Sequence, residues 1–212
     1  MLQLQGFTFN AFQENTYVLY NEQKHCWIID PGMYETEEVA YLTSFINDNK
    51  LIPQAIINTH CHIDHIFGVN AIKDIYNIPF GVHKSDLPVL QGAAGSAMLF
   101  GFRFGSVPVP DFFIAENEAL LGLKTIKVLF TPGHSPGSVS FFAPEEGFLI
   151  SGDVLFNGSI GRTDLPGGDF KTLVNSIKTQ IFVLPDDTQV FSGHGPATSI
   201  GDEKRYNPFL QD

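Results

Sequence analysis

Two cysteines, one tryptophan, three methionines and only 12 lysines and arginines in 212 residues set the first limits on this chain. Cys26 and Cys61 are too few for the multi-bridge framework of a small secreted domain, and reduced thiols in a cytoplasmic setting are expected. The opening Met1-Leu2-Gln3-Leu4-Gln5 lacks a basic start leading into a long apolar core, and no run approaches the ~20 residues that span a bilayer. No membrane partner is therefore expected. The basic residues are outnumbered by 23 Asp and Glu, for a net charge of −11. Without a local basic patch such a chain repels a nucleic acid backbone, which excludes that partner as well. No linker or low-complexity segment breaks the sequence. With 43% hydrophobic residues, positions 1–212 read as a single α/β domain with a substantial core.

Against that background one stretch stands out. Asn58-Thr59-His60-Cys61-His62-Ile63-Asp64-His65 places three imidazoles and a carboxylate in six positions, directly after an apolar run. Neutral imidazole and carboxylate are ligands for Zn²⁺ and similar divalent ions. Water on such an ion becomes a nucleophile near neutral pH. With seven His in the chain, His-x-His-x-Asp-His arises by chance about once in 2,000 such sequences, so chance is not a competitor. Cys61 between two of these residues is either a spacer or a competing thiolate ligand.

The chain before this stretch reads as an antiparallel meander over residues 2–9, 15–20 and 25–30, rich in β-formers and separated by polar turns. Asp30-Pro31-Gly32 stops the third strand, leaving Asp30 either as a turn residue or as a carboxylate that orients a metal ligand. A helix starts at Thr36-Glu37-Glu38 and carries Val39, Leu42, Phe45 and Ile46 at helical spacing. Gln54 to Asn58 forms the next strand and delivers the histidines into a loop that enters a helix near Ile66. This order suits a layered α/β architecture with its site at the C-terminal ends of strands. A short strand at 78–82 follows. Residues 92–110, with four glycines and three phenylalanines, then read as a long irregular loop, either a lid or a plain surface loop.

The second half repeats the logic of the first. Strands at 126–130, 147–151 and 188–192 end in Thr131-Pro132-Gly133-His134, Gly152-Asp153 and Gly193-His194-Gly195, with a further strand at 139–142. A helix face runs through Leu173, Val174, Ile177, Ile181 and Leu184. Three strands thus stop at a His or Asp beside glycine, which permits the tight turn that aims each side chain into a common cleft. Closed structural zinc sites are usually four-coordinate and rich in Cys. Seven nitrogen and oxygen donors fit two metal ions with positions open to water and substrate.

In these motifs the sequence resembles the metallo-β-lactamase superfamily, and most of all its glyoxalase II (hydroxyacylglutathione hydrolase) branch, over essentially the whole chain. The resemblance implies an α/β (α+β) fold, the four-layer αββα sandwich. It implies that His60, His62 and His134 hold a first divalent metal, that Asp64, His65 and His194 hold a second, and that Asp153 bridges both. Zinc is the first expectation, with iron or manganese as alternatives. β-Lactamases of the common type resemble this chain only in His-x-His-x-Asp, are exported, and usually place Cys where it has Asp153. Flavodiiron proteins replace the second histidine by Glu, and the nucleases carry added domains or arms.

With 18 residues after His194, the chain is similar to short, single-domain glyoxalase II-like proteins. It shares with them Gly161-Arg162-Thr163-Asp164 and a tail from Gly193-His194-Gly195-Pro196 through Glu203-Lys204 to Asn207-Pro208-Phe209. The activity this implies is hydrolysis of a small-molecule thioester by a hydroxide shared between two metals, with Asp64 and Asp153 in catalytic positions. Persulfide dioxygenases share the fold and a similar Gly-Arg-Thr-Asp segment but use one iron, on the equivalents of His60, His134 and Asp153. Lactonases use the same seven ligands. Substrate contacts are expected from Phe102 and Arg103, and from Arg162, Lys204 and Arg205. Arg162 is either the ion-pair partner of Asp164 or a carboxylate-binding group. The oligomeric state is left open.

Overall fold

The computed structural model describes residues 1–116, 122–123 and 125–211. Two compact units emerge, the first made of Met1–Val82 with Leu87–Phe113, the second of His83–Asp86 with Ile114 onwards.

In the first unit the expected meander is present. Strands β1 (Leu2–Phe9), β2 (Glu14–Asn21) and β3 (His25–Ile29) pair antiparallel, with Phe7 opposite Thr16 and Leu19 opposite Trp27. Helix α1 (Thr36–Asp48) then returns the chain to β4 (Ile52–Ile57), which lies parallel to β3. Its start is braced by Glu38, whose carboxylate accepts from the backbone N–H groups of Tyr34 and Glu35 and so satisfies amides that the helix cannot. Its buried face is Leu42 and Ile46, each stabilising the unit by about 1.5–3 kcal/mol relative to exposure. Helix α2 (Val69–Tyr76) ends on Asn77 in the left-handed conformation and leads to β5 (Phe80–His83), parallel to β4. The sheet runs in the order β1-β2-β3-β4-β5-β6, where β6 is Phe112–Ile114.

One expectation fails here. Residues 92–110 are not a single irregular loop, because helix α3 covers Leu87–Leu99 and claims the first eight of them. Leu90, Ala93 and Ala97 form its buried face. The non-helical stretch begins at Phe100.

The second unit repeats the plan of the first. Strands β7 (Lys127–Phe130), β8 (Val139–Ala143) and β9 (Phe148–Gly152) form an antiparallel meander. After β9 a short hairpin, β10 (Leu155–Phe156) with β11 (Ser159–Ile160), precedes helix α4 (Phe170–Ser176). The helix face expected to run on to Leu184 instead passes into a π-helical turn over Ile177–Ile181. Strand β12 (Gln189–Ser192) lies parallel to β9, and β13 (Thr198–Ser199) and helix α5 (Ile200–Tyr206) close the unit. The sheet order is β13-β12-β9-β8-β7. Leu149, Leu173, Ile177, Ile181, Val190 and Ile200 form its core. Among the described residues no helix is long and apolar enough to cross a membrane.

Candidate metal centre

In the first unit the chain leaves β4 at Ile57 and runs through the histidine-rich loop, and Asp30 organises that loop. Asp30 follows β3 with φ 51° and is 1% exposed. Its Oδ1 accepts from the Thr59 backbone N–H at 2.7 Å, and its Oδ2 accepts from the Thr59 hydroxyl at 2.6 Å. His65 Nδ1 lies 3.2 Å from the same Oδ2. A carboxylate only accepts, so His65 carries its proton on Nδ1 and keeps the lone pair on Nε2. The Thr59 hydroxyl has one proton, which goes to Asp30, so toward His60 Nδ1 at 3.1 Å it can only accept. His60 is thereby held in the same tautomer. Of the two roles left open for Asp30, the structure supports the orienting one.

The rings of His60 and His62 have centroids 4.9 Å apart, those of His60 and His65 4.1 Å. Asp64 Oδ2 lies 3.7 Å from His65 Nε2. Asn58 Nδ2 donates to the His65 carbonyl at 2.7 Å and fixes the loop's exit. Beneath His65 lies Glu14, wholly buried, whose Oε1 is 3.7 Å from His65 Nδ1. Burial pushes its carboxyl well above the ordinary range, while the neighbouring His65 pulls the other way. Cys61 lies in the apolar core of the unit, which is the spacer position.

The second unit presents its donors at three strand ends, as the sequence led one to expect. His134 follows β7, Asp153 follows β9 and His194 follows β12. Asp153 Oδ2 lies 3.5 Å from Nε2 of His134 and 3.5 Å from Nε2 of His194. Two ligands bound about 2.1 Å from one tetrahedral ion are separated by about 3.4 Å, so these spacings suit donors that share an ion on each side of one oxygen. His134 Nδ1 lies 2.8 Å from the Arg162 carbonyl oxygen, which again only accepts and leaves the lone pair on Nε2. Gly161 permits that approach, since a Cβ there would stand 1.9 Å from the Asp153 carbonyl oxygen and 3.1 Å from His134 Nδ1. The loop is laced back at its far end by the Asp169 N–H, which donates to the Gly133 carbonyl at 2.8 Å. Nitrogen and oxygen donors with fixed tautomers and these spacings fit divalent metal ions.

A sequence model of the metallo-beta-lactamase superfamily matches residues 9–194. The chain belongs to this superfamily. Its fold is accordingly the metallo-β-lactamase fold, a mixed α/β architecture that implies divalent metal ions. It is similar to a probable metallo-hydrolase, YqgX of Bacillus subtilis, at 40% identity over 93% of this chain and 92% of that one. The hydroxyacylglutathione hydrolase GloC of Haemophilus influenzae is 36% identical, with 94% of each chain covered. Among solved structures, the BLEG-1 B3 metallo-β-lactamase superposes with TM-score 0.90 at 42% identity, covering 99% of this chain and all of that one. TTHA1623, in a di-iron-bound form, gives 0.88 at 39% identity, covering 97% and 100%.

The residues expected to touch substrate are less uniform. Phe102 is partly buried, packed against Phe12, Tyr34 and Phe67 with ring centroids 5.1–5.3 Å away. Arg103 is exposed, and its backbone N–H donates to the Tyr34 hydroxyl. Arg162 spends its guanidinium on a two-pronged contact with Asp164, at 2.7 and 2.8 Å, so the ion-pair alternative is the observed one. Lys204 pairs with Asp186, and Arg205 is exposed on α5. The tail motif has an anchoring role. Glu203, 3% exposed, accepts from the Thr198 hydroxyl, the Gly158 N–H and Asn207 Nδ2, which ties α5 to the hairpin after Asp153. Sequence reasoning missed Glu14, Asn58 and Thr59. Their only signal was adjacency to a strand end or to the histidines.

Proposed function

We propose that this protein is a dinuclear metallo-hydrolase acting on thioesters, of the hydroxyacylglutathione hydrolase kind, and that it works as a single domain in the cytoplasm. In this reading His60, His62 and His134 hold one divalent ion and Asp64, His65 and His194 the other, with Asp153 between them. The observation that carries it is the Asp153 carboxylate oxygen 3.5 Å from Nε2 of both His134 and His194, a position suited to a shared ligand. The thioester part of this reading is supported by the likeness to GloC along nearly the whole length of both chains. Two cysteines, both free and buried, support the cytoplasmic part of this reading.

Bound divalent ions would supply Lewis acidity toward a carbonyl oxygen and a water acidified to near-neutral pKa. The chain's own contribution is orientation. Asp30 and Thr59 hold His65 and His60 in the required tautomer, and the Arg162 carbonyl does the same for His134. A thiol of pKa ~8.5 leaves as thiolate at neutral pH, so no strong general acid is required of the protein.

The test is hydrolysis of S-lactoylglutathione and other 2-hydroxyacyl thioesters by protein loaded with zinc, iron or manganese, with metal counted by elemental analysis. Two ions per chain and loss of activity in Asp153→Ala support the reading. One iron per chain with oxygen uptake on a glutathione persulfide would point to a dioxygenase and overturn it. The similarity to BLEG-1 favours a second reading, hydrolysis of a cyclic amide, so β-lactams belong in the same panel, beside lactones as the cyclic-ester alternative.

A further inference from the structure

Asn10 is none of the expected donors, yet its polar atoms are committed around the metal-bearing loop. It lies in the turn between β1 and β2 with φ 52°, a conformation that Asn tolerates better than most residues with a side chain. Its Nδ2 donates to the carbonyl oxygens of Gly32 at 2.8 Å and Asp64 at 3.0 Å. Its Oδ1 accepts from the Phe12 N–H at 2.9 Å, and its own N–H donates to Glu38 Oε1 at 2.7 Å. The first turn of α1 thus braces the same junction. No space is left over: a Cβ on Gly32 would stand 2.4 Å from the Asp64 carbonyl oxygen and 2.8 Å from Asn10 Nδ2.

The Asp64 carbonyl is one edge of the peptide that joins Asp64 to His65. The other edge, the His65 N–H, donates to the His62 carbonyl at 3.1 Å. Asn10 therefore completes the grip on the single peptide linking the two donors assigned to the second metal. His60 is held differently, through Thr59 and Asp30.

We infer that Asn10 is a positioning residue for Asp64 and His65, fixing the peptide between them, with no comparable hold on His60 and His62. Without the Nδ2 donor the part-buried Asp64 carbonyl loses its hold on the β1–β2 turn. Turning that peptide moves both flanking side chains together. The metal consequence rests on the two-metal reading above, whereas the peptide consequence rests on these contacts alone.

The test uses Asn10→Asp, which keeps the size and the acceptor but lacks the donor, and Asn10→Gly, which tolerates the backbone conformation without any side chain. In full-length, metal-free protein, amide hydrogen exchange at His65 should accelerate about tenfold or more while the Thr59 amide, held by Asp30, stays as in wild type. In a titration with zinc alone against a chromophoric chelator, the second equivalent should weaken by between about 10- and 100-fold with the first little changed. Unchanged protection at His65, or equal loosening of both amides and both equivalents, would overturn the assignment. A wild-type protein that takes up one zinc would sink the two-metal reading, and the exchange result then decides the role of Asn10 by itself.

Discussion

His65 Nδ1 and Asp30 Oδ2 lie 3.2 Å apart, both fully out of solvent, and this contact decides which nitrogen of His65 can reach a metal. Because Asp30 also takes both donors of Thr59, one carboxylate sets the chemistry of two imidazoles.

Asp30→Asn should keep the fold, since Asn tolerates φ near 51°, while losing the acceptor-only partner that fixes the His65 tautomer. Metal affinity is expected to fall by about 10- to 100-fold. Chelator competition, with circular dichroism to verify the fold, measures it.

Thr59 is tested by a pair of substitutions. Thr59→Val removes the buried hydroxyl that joins Asp30 to His60, so it should destabilise the protein by about 1–3 kcal/mol and weaken metal binding. Thr59→Ser retains the hydroxyl and should stay close to wild type. Urea unfolding of the two variants gives the comparison, and equal losses in both would contradict the role assigned to the hydroxyl.

Gly161→Ala tests how tightly His134 and Asp153 are seated. The added methyl meets the Asp153 carbonyl oxygen and the His134 ring, so a loss of about 1–3 kcal/mol or more in stability is expected. Hydrolytic activity should fall further than that of a variant equally destabilised elsewhere, because the displaced groups are themselves donors.

His83 packs against Phe130 with ring centroids 4.6 Å apart and the planes tilted by 32°. Burial lowers its pKa from the ordinary 6.5, and Asp86 and Glu116 offset this only in part. The folded chain therefore resists a proton that the unfolded chain accepts as pH falls through 6.5, and stability drops on the acid side. In His83→Gln the difference between urea midpoints at about pH 8 and about pH 5.5 should be smaller than in wild type. An unchanged difference would remove His83 as a contributor.

Much of the scaffold was legible because β-former runs between turn residues, and helical spacing where one face is buried, are read directly from sequence. Helix α1 was found by that spacing, and the strands of both halves by runs of β-formers between polar turns, although only the first three were read as a meander. Helix α3 was not, since no charged residue occurs between Asp86 and Arg103 and the outward positions are as apolar as the inward ones. Gly92 and Gly95, each costing about 1 kcal/mol in a helix, pointed the same wrong way. Packing of Leu90, Ala93 and Ala97 overrides them. At the metal centre His and Asp declare themselves by type. Thr59, Asn58 and Asn10 act through ordinary hydroxyl and amide hydrogen bonds whose partners lie tens of residues away or on the backbone, so apart from the position of Asn58 and Thr59 beside the histidines nothing in their local sequence distinguishes them.

The burial of Cys61 gives this protein two internal reporters of different openings. Its thiol sits in the core although its neighbours are His60 and His62, and Cys26 is equally enclosed in β3, where burial pushes its pKa to about 12. A thiol reagent can reach either only through an excursion of the chain. Cys61 becomes reactive when the histidine loop opens, Cys26 when the central strands separate. Their labelling rates, followed with and without metal, resolve how much of the bound state's rigidity belongs to the loop and how much to the sheet.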